Sequence, residues 1–263
     1  MPTYKNIFAG LGVAVLTASA AATANATDLV PAGSSPEFSV TAGGTSDYVF
    51  RGFSQSDEDP VFQGSVDMTY GLFYAGAWVS GIEFGQDALG RNVANAELDL
   101  YGGVTPKIGM FDLDFGFIWY LYPGARDPGA ELDYVELKAG ASTEIFKSMT
   151  AGVTYYYSPE FTGETGTAHA IEGSLGYEFP AIGSVTPSIS GLIGHQIVDD
   201  LDFSASADQE DSYTYWNVGI GLGWEKLSLD FRYWDTDIDD TLCTGPLFQC
   251  DERFVFSASV SLP

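Results

Sequence analysis

Positive charge is scarce in this chain: ten lysine and arginine residues stand against 36 aspartate and glutamate residues, giving a formal net charge of −26. Such a surface repels nucleic acid, so no nucleic-acid partner is expected. Histidine and cysteine are scarcer still, at two of each. Neither pair has the spacing of a zinc motif, and phosphate-cradling or dinucleotide glycine loops are missing. Beyond the first 26 residues no apolar run approaches the roughly 18 to 20 residues of a membrane helix. Any membrane crossing must therefore be made by strands.

What is present points to β structure and export. Aromatics make up 14% of the chain and there are 31 glycines. Residues 1–26 have the pattern of a cleaved signal peptide: Lys5, an apolar stretch from Ile7 to about Ala22, and Ala24-Asn25-Ala26 before Thr27. An exported chain meets oxidising conditions, which predicts a local disulfide between Cys243 and Cys250.

The segment Phe111 to Tyr122 carries the strongest periodicity. Phe111, Leu113, Phe115, Phe117, Trp119 and Leu121 occupy one parity, and Asp112, Asp114, Gly116, Ile118, Tyr120 and Tyr122 the other. A period of two over this length is a strand with two unlike faces. Soluble strands usually run about 5 to 6 residues, whereas a bilayer needs about 9 to 11 tilted residues. The same beat recurs in Phe38–Tyr48, Val61–Tyr70, Phe73–Glu83 and Ala94–Val104. It continues in 131–142, 146–158, 168–179, 184–195, 213–224, 226–236 and 253–262. That makes about twelve strands, an even number as bacterial outer-membrane barrels require.

Connections alternate in length. They are short near 71, 107, 144, 181 and 225, and long at 51–60, 84–93, 123–130, 159–167, 196–212 and 237–252. Sorting of loops by parity is expected of a barrel with short periplasmic turns and long outer loops. The long loops also concentrate acid, as in Asp57-Glu58-Asp59, in Asp199, Asp200, Asp202, Asp208, Glu210 and Asp211, and in Asp235, Asp237, Asp239 and Asp240. Unpaired backbone groups at a sheet edge are too costly in hydrocarbon, so the sheet must close. The fold class expected is all-β: a closed antiparallel transmembrane β-barrel spanning residues 37–263, with 27–36 a short linker. The last strand, Arg253 to Leu262, resembles the C-terminal strand that barrel-assembly machinery recognises, although Pro263 replaces the usual terminal aromatic.

The stretch Ser46 to Ser56 (SDYVFRGFSQS), with Gly71 to Gly85 (GLFYAGAWVSGIEFG) after it, resembles the opening of the TorF-like family of bacterial porins. The resemblance implies an outer-membrane barrel and matches Arg51-Gly52 to the family's Arg-Gly pair.

If apolar faces meet lipid, opposite faces line the lumen. Parity assigns to it Asp47, Asp67, Glu97, Asp99, Asp112, Asp114, Glu136, Glu172 and Asp230, with the bases Lys138, Arg232 and Arg51. Tyr74, Trp78 and Ser80 are placed inward as well. A lumen lined by carboxylates favours cations. Asp112 and Asp114 are expected within reach of Glu97 and Asp99 on the preceding strand, a crowding of like charge that bases, cations or protons must relieve.

Two readings of function follow: a porin passing small polar or cationic solutes, or a structural or adhesive barrel with a plugged lumen. A barrel hydrolase is the third. His169 and His195 fall on the oily parity, without an evident Ser or Asp partner beside them. No cofactor is expected. The run Asp235 to Asp240 superficially resembles a calcium loop, but Asp240 stands where glycine belongs and Pro246 where the final Glu belongs. Loose divalent-cation binding, bridging acidic loops to lipopolysaccharide, is the most it suggests. Other partners expected are outer-membrane lipid and small solutes. N-terminal sequencing of the exported protein is expected to begin at Thr27.

Overall fold

The computed structural model describes residues 35–87, 89–126, 131–201, 203, 211–243 and 249–263. The signal segment 1–26, nearly all of the linker 27–36, and Asp202, Asp208, Glu210 and Pro246 lie outside the described residues. Strand β1 (Glu37–Thr45) is followed by a small hairpin, β2 (Val49–Phe50) and β3 (Phe53–Ser54), and then by β4 (Val61–Tyr70), β5 (Phe73–Gly81) and β6 (Ala96–Val104). A short piece, β7 (Lys107–Ile108), precedes β8 (Phe111–Leu121) and β9 (Tyr134–Phe146). The rest are β10 (Met149–Ser158), β11 (Ala168–Glu178), β12 (Val185–Val198), β13 (Ser212–Trp224), β14 (Leu227–Thr236) and β15 (Arg253–Leu262).

Each wall strand pairs antiparallel with its neighbours in sequence, and two pairings complete the ring. β6 passes over β7 to β8, with Leu98 opposite Leu121 and Val104 opposite Phe115. β1 meets β15, with Val40 opposite Leu262 and Thr45 opposite Ser257. Without β2, β3 and β7, twelve strands form a closed antiparallel barrel. Closure pairs the wall's backbone groups with one another, which is what allows a sheet to stand in hydrocarbon.

The two faces separate as the alternation predicts. Phe38, Phe62, Phe117, Trp119, Ile193, Ile220 and Phe254 are exposed on the outside, while Glu97, Glu136, Glu172, Gln196 and Tyr215 are buried inside. Cross-strand pairs reinforce both faces. Outside, Phe231 and Phe254 stack at 5.3 Å. Inside, large side chains lie over glycines directly opposite them: Tyr215 on Gly194, Tyr101 on Gly76, and Arg232 on Gly219. A Cβ on Gly194 would stand 2.2 Å from the Tyr215 ring. These glycines give the inward side chains room to lie across the lumen.

Connections sort by rim. Turns at 71–72, 147–148 and 225–226 are tight, and Lys107, Lys147 and Lys226 all sit on that short-turn rim. The opposite rim carries 46–60, 82–95, 122–133, 159–167, 199–211 and 237–252. β9 starts later than its periodicity suggests because Asp133 serves the loop, its Oδ1 accepting the Tyr122 N–H at 2.7 Å.

The antiparallel register corrects one expectation. Asp99 lies opposite Tyr120, whereas Asp112 lies opposite Lys107 beside the short turn. Some 20 Å of strand, at about 3.4 Å per residue, separates Asp114 from Tyr120. Glu97 and Asp99 thus belong to the long-loop half of the barrel and Asp112 and Asp114 to the short-turn half. The two pairs do not crowd each other, whereas Glu97 and Asp99 remain in contact with one another on β6.

Placing a charge on the outer band should cost far more than placing one inside. Phe117→Lys is expected to destabilise the barrel by about 2 to 4 kcal/mol. Ser174→Lys, on the inward face, should cost much less. Urea unfolding in lipid vesicles measures both.

Candidate functional site

The interior is organised by the first long connection, which turns inward. Val49 pairs with Ser54 and Phe50 with Phe53, leaving Arg51 and Gly52 as a two-residue turn. Both have positive φ, 49° and 93°, as a tight turn matched to strand twist requires. Glycine accepts this freely and arginine does not, so the surroundings must hold the tip in place. A Cβ on Gly52 would lie 2.3 Å from Thr236 Cγ2, so the tip rests directly against the end of β14, two strands round the ring from β1.

Arg51 crosses the lumen and is buried there. Its Nη1 donates to Glu136 Oε1 at 2.7 Å and its Nη2 to Oε2 at 2.8 Å. Nη1 also reaches Gln196 Oε1 at 3.3 Å. The guanidinium lies between the rings of Phe50 and Tyr156, 4.7 and 4.8 Å from their centres. Tyr120 donates to Glu136 Oε2 at 3.1 Å, and Tyr213 to the Arg51 carbonyl at 3.1 Å. A planar fork on a carboxylate, closed by aromatic faces, is the strongest form such a pair takes.

The base of the hairpin is fixed by Asp47. Its Oδ1 accepts Ser54 Oγ at 2.6 Å and Ser56 Oγ at 3.0 Å, and its Oδ2 accepts Arg253 Nη1 at 3.0 Å. Above it sits the last long loop, stapled by the Cys243–Cys250 disulfide. Gln249 O accepts the Ser54 N–H at 2.9 Å and Cys250 O accepts the Thr236 hydroxyl at 2.9 Å. Tyr48, Val49, Ile82, Phe84, Tyr122 and Trp234 belong to one buried apolar cluster around the hairpin. The long-loop half of the lumen is therefore filled.

The short-turn half is more open and polar. Lys138 pairs with Asp114 at 2.7 Å, and Tyr74 donates to the same carboxylate at 2.8 Å. Arg232 pairs with Asp230 at 3.0 Å and donates to Asn217 Oδ1 and Ser190 Oγ. Lys107 pairs with Asp112 at the rim. Asp67, Glu97, Asp99 and Glu172 have no base within ion-pair distance among the described residues. Hydroxyls serve three of them: Tyr101 and Ser65 donate to Asp67, Tyr48 to Glu97 and Tyr215 to Glu172. Asp99 Oδ1 is buried without a hydrogen-bond partner.

All the residues assigned inward by parity are inward, and Tyr74, Trp78 and Ser80 join them. The fold brings Arg51 and Glu136 together, with Glu172 nearby on β11. Sequence reasoning left out Arg253, Gln196 and the tyrosines 120, 156, 213 and 215. Parity could have found five of them, since each has an outward apolar neighbour, whereas Tyr213 lies between Ser212 and Thr214. The inward turn of residues 46–60 carried no such signal. His169 and His195 face outward, bonded to the hydroxyls of Tyr155 at 2.6 Å and Thr214 at 3.2 Å. The carboxylates of Asp235, Asp237 and Asp239 serve separate bonds instead of converging. Asp237 accepts the Thr214 N–H at 2.7 Å, and the Thr241 hydroxyl and N–H hold Asp239 below the usual carboxylate range.

A profile of the bacterial family Gcw_chp, described as a protein of unknown function, matches residues 30–262. The chain belongs to that family. Gcw_chp membership therefore covers the whole barrel together with its inner hairpin. The curated protein sequences give no match. Among solved structures, the barrel resembles the KdgM porin with a TM-score of 0.55 at 8% identity, covering 86% of this chain and 99% of that one. It resembles the NanC porin at 0.51 and 11% identity, covering 86% and 100%. KdgM in complex with disordered oligogalacturonate matches at 0.53 and 7% identity, over 86% and 100%. At these identities the likeness is one of fold, that of a small twelve-stranded porin.

Removing either part of the hairpin's anchorage should be costly. Glu136→Gln leaves a buried arginine without its counter-charge and is expected to destabilise the barrel by about 3 to 5 kcal/mol. Gly52→Ala, strained by its positive φ and by Thr236, should cost at least about 1 to 3 kcal/mol. Urea unfolding of both variants in lipid checks the two figures.

Proposed function

We propose that this barrel is an outer-membrane channel for small cationic or polar solutes, and that the inward hairpin holds it closed in the conformation described. The observation that carries this is the charge balance of the inward face. Its bases, Arg51, Lys138, Arg232 and Arg253, each hold a carboxylate, and Lys107 holds Asp112 at the rim. Asp67, Glu97, Asp99 and Glu172 are left over. In a water-filled passage such an excess attracts cations and repels anions. The porin fold, the spanning apolar band, the signal-like leader and the resemblance to TorF-like porins support the outer membrane as its location. The long acidic connections then face outward and the lysine-bearing turns face the periplasm.

A second reading has its own observation: the hairpin and the aromatic cluster fill the outer half, as they would in a structural barrel that conducts nothing. Planar-bilayer recording separates the two. On the channel reading, Gly52→Ala raises conductance over wild type by loosening the hairpin. Its reversal potential in a KCl gradient shows preference for K⁺. Asp67→Asn combined with Glu172→Gln lowers that preference severalfold. Silence from both wild type and Gly52→Ala, or a preference for Cl⁻, rejects the channel.

A further inference from the structure

The lumen wall that receives Arg51 is built like a binding site, and the hairpin fills it. Three of its parts belong to the wall: the Glu136 carboxylate on β9, Gln196 Oε1 on β12 and the Tyr156 ring on β10. Tyr120 orients the carboxylate from β8. None of them is near Arg51 in sequence; three separate strands converge on one planar cation, and a fourth holds its carboxylate. Glu136 has no other base within ion-pair distance among the described residues, so when the hairpin leaves its carboxylate is an unpaired charge that favours capture of a replacement cation.

We propose that this wall site is a receptor for guanidinium-type organic cations, and that Arg51 is a tethered occupant which such a solute displaces. The chemistry is specific. Two parallel N–H···O bonds to Glu136 need a planar fork, which a guanidinium has and an ammonium lacks. The Tyr156 face adds a cation–π contact to the same plane. Competition follows from geometry: the apparent affinity of wild type is lowered by the fraction of time Arg51 spends docked. A solute that wins the site also removes the hairpin's main anchor, so binding and opening are linked. The transport role of the site rests on the channel reading above, whereas occupancy is measurable apart from it.

The test uses the purified full barrel in detergent micelles, with agmatine as the guanidinium probe and putrescine as the ammonium control. By titration calorimetry, Arg51→Ala should bind agmatine at least about tenfold more tightly than wild type does, because the tethered competitor is gone. Putrescine should bind Arg51→Ala much more weakly than agmatine. The double variant Arg51→Ala with Glu136→Gln should bind neither. Agmatine should also raise the temperature at which Arg51→Ala loses its folded gel mobility, and should leave the double variant unchanged. Should Arg51→Ala fold only when agmatine is present, that rescue supports the site. Failure to fold with agmatine, while the double variant folds without it, overturns it. Equal agmatine affinity in wild type and Arg51→Ala, equal uptake of putrescine, or retained binding in the double variant also overturns it. Binding through Glu136 in a barrel silent in bilayers would keep the receptor and reject the channel. Cation conductance without agmatine binding to Arg51→Ala would do the reverse.

Discussion

Hydrogen-bond closure is the constraint on which everything else depends. A sheet in hydrocarbon cannot keep an open edge, and this chain meets the demand at two unlike places. β6 reaches past β7 to β8, a local step, whereas β1 must find β15 at the far end of the sequence. Once the ring is fixed, each side chain has only two destinations, lipid or lumen. Charge then follows the cheaper solvent: the carboxylates of the wall strands point inward, except Asp235 at the long-loop end of β14, and the outer band is left to phenylalanine, isoleucine, valine and leucine.

The interior shows how a closed ring of this size is filled. Twelve strands enclose more space than inward side chains of ordinary size occupy. This chain folds a piece of itself into the gap. The outer half becomes a dry core of hairpin and aromatics, and the inner half keeps glycine, serine and threonine between its ion pairs. The buried Arg51–Glu136 pair is weak evidence for stability, since a well-packed apolar pair would serve as well. It does specify where the hairpin goes, because an unpaired charge at either end is penalised heavily.

Much of this could be read in the chain itself. Phe111 to Leu121 announces a spanning strand with two faces, and the same rule places Glu97, Glu136, Glu172 and Arg232 in the lumen without any knowledge of the fold. Loop parity orients the barrel. What could not be read is height along the barrel axis. Periodicity gives the face of a residue but not its level, which is why Asp112 and Asp114 looked adjacent to Glu97 and Asp99 until the register separated them. The hairpin was hidden for a related reason. Its sequence, Asp47 to Ser56, is polar at the ends and aromatic in the middle, and only contacts with β9, β12 and β13, far away in the chain, make that pattern an interior one.

The ion pair between Asp47 and Arg253 has a consequence for the order of assembly. Asp47 follows the first wall strand directly and Arg253 opens the last, so the pair straddles the seam that closes the ring. During synthesis the hairpin is made early and its base anchor arrives almost at the end. That base anchor is complete only with the final strand in place. The seam of the wall and the base of the stopper thus share one arginine in the last strand.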